Sequence, residues 1–178
     1  MNRTPLFWSP STHSSQVSSI GVMLPHIRTH YALTDTSVSL IFLLGPLGYV
    51  LAASSNALIH QHVGQRGIAY IAPIFHLLSA VVLALHPPFP VLLLAFAGVG
   101  LGSAWLDGSW CAWAGAMRRA NKVSGFLHGS FSAGAAVGPF VAGAMIAKAG
   151  AEWWEWFWVL VSLVWSRLGQ EKCPVVLE

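Results

Sequence analysis

Charged side chains are scarce in this sequence. They make up 8% of its 178 residues, against about 25% in an ordinary soluble domain. A water-exposed globule of this size would not cover its surface with so few. The net charge of +3 is small and scattered, so the chain offers no basic patch for nucleic acid. Cysteine is nearly absent as well: Cys111 lies in an apolar run and Cys173 in the tail, with no disulfide or metal-ligand spacing. No nucleophile–base set or phosphate-binding loop is visible, which argues against an enzyme and calls for no cofactor and no metal. The first twenty residues, MNRTPLFWSPSTHSSQVSSI, lack a continuous apolar core and do not read as a secretory signal.

What the sequence does have is apolar length. Hydrophobic residues make up 55% of it, in long runs separated by short polar breaks, the pattern of a multi-pass membrane protein. A spanning helix needs about 17 to 25 mostly apolar residues. Five stretches meet or approach that length: about 37–57, 67–85, 89–117, 123–147 and 153–168. Before them, SIGVMLPHIRTHY holds about half a span, broken by Pro25, so a partial helix is expected over 20–32. Residues 1–19 are expected to form a polar leader and 169–178 a cytoplasmic tail. The expected fold class is therefore all-α: a polytopic helix bundle over 20–168, integral to a lipid bilayer.

The basic residues orient it. With the loop around Arg66 in the cytoplasm, Arg3, Arg118, Arg119, Lys122, Arg167 and Lys172 fall on the same side, which is seven of the nine basic residues. The outer loops HPPFP (86–90) and KAGAEWWE (148–155) are short and force antiparallel neighbours. Trp153, Trp154 and Trp156 cluster at one end of the last span, where indoles anchor at headgroups.

One stretch is chemically out of place. In LGSAWLDGSWCAWAG (101–115), Asp107 stands about 16 Å along the helix from Arg118, near mid-membrane, with no cation within ten positions. An acid there costs about 2.5 to 3.5 kcal/mol on insertion scales. It is expected to face protein or water, on a stripe of Gly100, Ala104, Asp107, Cys111 and Ala114. The functional reading is a proton or solute site formed by Asp107, Trp110, Cys111 and His128. The bland reading is a structural acid hydrogen-bonded to neighbouring helices. His76 and His128, within spans or near their ends, either titrate in a transport cycle or pack as hydrogen-bonded residues.

A second stretch, SGFLHGSFSAGAAVGPFVAGAM (124–145), places Gly125 with Gly129 and Gly134 with Gly138 at G-x-x-x-G spacing. Such pairs admit a close helix, and Pro139 removes a backbone donor and favours a kink. With Gly143 following, this helix is expected to pack tightly and to hinge.

These residues resemble the N-terminal half of a major facilitator superfamily transporter, of a fungal branch. ALIHQHVGQRG (57–67) occupies the place of the family's cytoplasmic loop motif, with Gly64 and Arg66 matching and Ile59 near the leucine. Gln61 stands at the motif's acid and His62 at its first basic residue. GAAVGPFVAG (134–143) is similar to the fifth-helix motif, through Gly134, Gly138, Pro139 and Gly143, and LDGSWCAW to an acid-and-tryptophan fourth helix. The resemblance implies helices two to six with only the end of helix one, and a second half that is missing. It implies a fragment of a secondary transporter moving a small-molecule solute, possible proton coupling included, with a C-terminal half or a second copy as partner. The alternative is a non-transporting membrane interaction protein or a degenerate product.

Overall fold

The computed structural model describes residues 4–168, with only the backbone described at 4–10, 65, 66, 69, 70, 167 and 168. The expected tail at 169–178 lies outside the described residues. Six helical elements follow one another: α1 (Thr4–Ser18), α2 (Ile20–His30), α3 (Asp35–Ala84), α4 (Phe89–Gly115), α5 (Ala120–Ala149) and α6 (Glu155–Leu168). The described residues are helical apart from short connections, an all-α bundle as the apolar runs imply.

The largest departure from the sequence reading lies at the start. Residues 4–18, expected as a polar leader, form the helix α1, continuous with α2 through Ser19, whose backbone stays helical at φ −72°, ψ −13°. Together they form a rod of roughly 40 Å at 1.5 Å per residue, long enough to cross a bilayer. The reason is local satisfaction of polar groups. The hydroxyls of Ser14, Ser15, Ser18 and Ser19 donate back to the carbonyls of Ser11, Ser11, Ser14 and Gln16, at 3.0, 2.7, 2.7 and 3.2 Å. A serine bonded to its own preceding turn leaves no hydroxyl unpaired in an apolar setting. Composition alone counts such residues as water-seeking and so misreads them.

A second departure concerns the break between the first two long spans. The chain is helical on both sides of this break, and the turn is concentrated at Gly64, at φ 67°, ψ 179°. That conformation is essentially reserved for glycine. The first arm of α3, Asp35–Gly64, is long and apolar enough to cross a membrane, as are α4 and α5. The second arm and α6 contain the shorter apolar helices Ile71–Ala84 and Glu155–Ser166.

Helix ends carry recognisable stops. The Thr34 hydroxyl accepts from the Ser37 amide at 3.3 Å and starts α3. Pro88 and Pro90 open α4, where a missing amide proton costs nothing. Gly150 closes α5 in the left-handed conformation at φ 64°.

Packing follows two seams. Along the first, α3 lies against α4: a methyl group at Gly48 would collide with the Ala97 carbonyl, and one at Gly100 with the Gly45 carbonyl. Along the second, α1 lies against α5: Gly134 faces Ser11 and Ser14, and Gly138 faces Ser15. Backbones approach this closely only where side chains are absent or small. Gly143 is looser, with Val22 3.3 Å from its Cβ position. Gly125 and Gly129, expected to admit a neighbour, meet nothing within 4 Å. They lie on the exposed side of α5, so within this chain the first G-x-x-x-G pair is no contact.

The bundle closes at the end where the connections 31–34, 85–88 and 150–154 meet. The Tyr31 hydroxyl donates to the Pro87 carbonyl, and burial raises the Tyr31 pKa above the usual phenol value. Arg28 and Asp35 form an exposed ion pair at 2.8 Å. Trp153 and Trp156 are turned into the bundle: they are 1% and 4% exposed, in a core with Met23, Ile27, Leu92, Phe96 and Phe157. The Trp156 indole donates to the Ser19 hydroxyl at 2.8 Å, tying α6 to the α1–α2 rod. Elsewhere Phe42, Leu43, Val50, Leu51 and Phe140 are exposed. In water so much apolar surface would be an interaction liability; in lipid it is ordinary.

Candidate functional site

Three helices converge on Asp107. It sits on α4 with its side chain 31% exposed. Gly100 and Ala104, two turns and one turn earlier on the same stripe, are buried against α3. Glycines let the α3 backbone come close there, which brings Tyr49 alongside. The Tyr49 hydroxyl donates to Asp107 Oδ2 at 3.4 Å, a long bond. From the other seam, α1 delivers His13, whose Nε2 lies 3.7 Å from Asp107 Oδ1. His13 is 3% exposed there, packed between the two seams.

Behind His13 the polar contacts continue inward. Its ring stands edge-on to His76, with centroids 4.8 Å apart, and 6.3 Å from Trp110 and 5.6 Å from Phe131. His76, on the second arm of α3, places Nδ1 3.0 Å from Gln16 Oε1. With the amide oxygen as acceptor, the proton of His76 belongs on Nδ1. The other edge of that ring is admitted by Gly102, where a Cβ would stand 2.8 Å from His76 Cδ2. His13 and Gln16 are three residues apart on one helix, so they share the face that meets α3 and α4.

This arrangement is incompletely satisfied. Among the described residues, His13 Nδ1, His76 Nε2 and Gln16 Nε2 are buried and have no hydrogen-bond partner. Each unpaired buried polar group costs about 1 to 3 kcal/mol. Orphans grouped in one place call for an explanation, because native interiors hold few of them. The residues do not form a metal centre: no group of three His, Cys, Asp or Glu side chains among the described residues is arranged to hold an ion.

The remaining residues expected at this site fall around it unevenly. Trp110 is half-buried beside His13. Cys111, one turn beyond Asp107, is exposed. His128 is exposed on α5 and close enough to act electrostatically on Asp107. His76 lies fully inside, bonded to Gln16. In the loop motif, Gly64 makes the turn itself, while the Arg66 side chain lies outside the described residues.

Sequence reasoning missed His13, Gln16 and Tyr49. The first two were hidden by reading 1–19 as a leader. A signal was present: Ser11, Ser14, Ser15 and Ser18 repeat at helical spacing, a small-residue face matching that of Gly134 and Gly138. Tyr49 carried a weaker sign, lying seven positions before Asn56 on one face of its span.

The Major Facilitator Superfamily family model matches residues 7–168. The chain is similar to "Bypass of stop codon protein 6" of Saccharomyces cerevisiae, 28% identical over 154 residues. That match covers 85% of this chain and 30% of the yeast protein, so the chain spans less than a third of its relative. The family match includes most of α1, in keeping with its place in the bundle. The apolar helices and this match make the chain membrane-embedded. It belongs to the major facilitator superfamily.

Proposed function

We propose that the chain forms one half of a secondary carrier that moves a small solute by alternating access, with Asp107, Tyr49 and Trp110 lining the passage and His13 buried behind them. One observation carries this reading: the only acid in the middle of a spanning helix among the described residues is half-exposed, and two other helices reach it with polar side chains. Ionisable groups within a membrane lie on pathways or pair inside the bundle. Asp107 has an open side, which favours a pathway. Carriers with two halves hold their solute near the bilayer midplane, where the halves meet. The face bearing Asp107, Tyr49 and Cys111 would then turn towards a second half or a second copy. The end bearing Arg118, Arg119 and Lys122 would lie in the cytoplasm.

The test is counterflow in proteoliposomes holding the full chain, with a panel of labelled small solutes and Asp107→Asn as comparison. Saturable uptake that the variant loses is the expected result. A correctly folded chain that moves every solute at the rate of empty liposomes would overturn a carrier role for it. It would leave the reading as a membrane interaction protein.

A further inference from the structure

Resting on the reading of this face as a solute site, we infer that the group it receives is an organic cation, an amine or quaternary ammonium carried on a small apolar body. Asp107 is the reason. Its carboxylate has about four acceptor positions. In this structure it takes one long hydrogen bond from Tyr49 and lies 3.7 Å from His13, outside hydrogen-bond range. No lysine or arginine among the described residues forms a salt bridge with it. Arg118, Arg119 and Lys122 lie at the far end of α4 and beyond it, three turns or more away. The side chain therefore has reach and capacity to spare, and lacks a fixed counter-charge.

The walls suit the same ligand. Tyr49 reaches the carboxylate through its hydroxyl, and Trp110 and Phe131 stand around the neighbouring His13 ring at 6.3 and 5.6 Å, so aromatic side chains surround the acid's vicinity. Electron-rich ring faces attract cations, most strongly where water is thin. A carboxylate in a low-dielectric setting repels an anion over the same distance. An uncharged solute could donate hydrogen bonds to the acid but would leave its negative charge unbalanced. The accessible partner is Asp107, since His13 is 3% exposed against 31% for the acid.

The experiment uses the full chain in lipid nanodiscs and labelled benzyltrimethylammonium. Controls are its uncharged carbon isostere, neopentylbenzene, and the anion benzoate. The expected result is saturable binding that neither control displaces. Asp107→Asn should weaken it at least tenfold and Trp110→Ala several-fold, while Asp35→Asn in the exposed end pair changes nothing. Unaltered helical circular dichroism and thermal midpoint show that each variant folds.

Equal binding of the isostere, preference for benzoate, or full binding by Asp107→Asn would overturn the inference. The two readings fail separately. Uptake that needs Asp107 but involves no cation leaves the carrier and removes the cationic solute. Cation binding without any flux leaves the cation site and removes the carrier.

Discussion

The hydroxyl of Ser15 lies 2.9 Å from the carbonyl of Gly134, so the first helix and the fifth share a hydrogen bond across 119 residues of chain. The same hydroxyl lies 2.7 Å from the Ser11 carbonyl, and one proton serves both acceptors. Such a contact needs bare backbone on α5, which Gly134 supplies. It also fixes the rotation of α1, and with it the direction in which His13 points.

A leucine at Gly138 is therefore expected to push α1 away, because the Cα of Ser15 stands 2.6 Å from the Cβ position there. Overpacking of this kind costs about 1 to 3 kcal/mol. Gly125→Leu adds its side chain where nothing lies within 4 Å and should change stability by no more than about 0.5 kcal/mol. Thermal unfolding of the two variants in detergent separates them. Equal losses would mean that α1 does not pack on α5.

The pair of Gln16 and His76 makes a different prediction. Removing the amide alone, in Gln16→Leu, strands the buried Nδ1 of His76 and is expected to cost about 1 to 3 kcal/mol. The double variant Gln16→Leu/His76→Leu removes both members and should lose less than the two single losses added together. A double-mutant cycle on thermal stability measures the difference. Strict additivity would show that the hydrogen bond contributes nothing.

The turn at Gly64 is testable through the backbone alone. At φ 67° and ψ 179° an alanine is strained, by about 1 to 3 kcal/mol, although its Cβ would touch nothing. Gly64→Ala should therefore lower the thermal midpoint, whereas Gly115→Ala, equally open but at an ordinary backbone angle, should not. No difference between them would mean that the two arms of α3 turn elsewhere.

These features were unequally legible in the sequence. Asp107 stood out because an acid among tryptophans in a long apolar run has few explanations. Gly134 and Gly138 stood out by spacing, yet spacing did not separate them from Gly125 and Gly129. The difference lies in which face of α5 meets another helix, and that depends on where α1 goes. The course of α1 was itself unreadable by hydropathy, since Ser14, Ser15 and Ser18 count as polar while bonding to their own backbone. His13 and Gln16 vanished with it. Trp153 and Trp156 show the converse: indoles suit both a headgroup layer and a core, and only packing reveals that these two are buried.

Cys111 gives the most direct check on which way the site faces. It follows Asp107 by four positions on α4, so their side chains sit one turn apart, about 6 Å, on one face. Its thiol is exposed. If that face opens to water, a membrane-impermeant maleimide should label Cys111 in a Cys173→Ser variant reconstituted in lipid. A solute bound at Asp107 should slow the labelling, and the attached maleimide should in turn block solute binding. Labelling should persist in Asp107→Asn but lose its sensitivity to solute, since the thiol stays exposed while the ligand loses its anchor. Were the face turned to lipid instead, only membrane-permeant reagents would reach the thiol, and Asp107 would be a structural acid with no passage beside it.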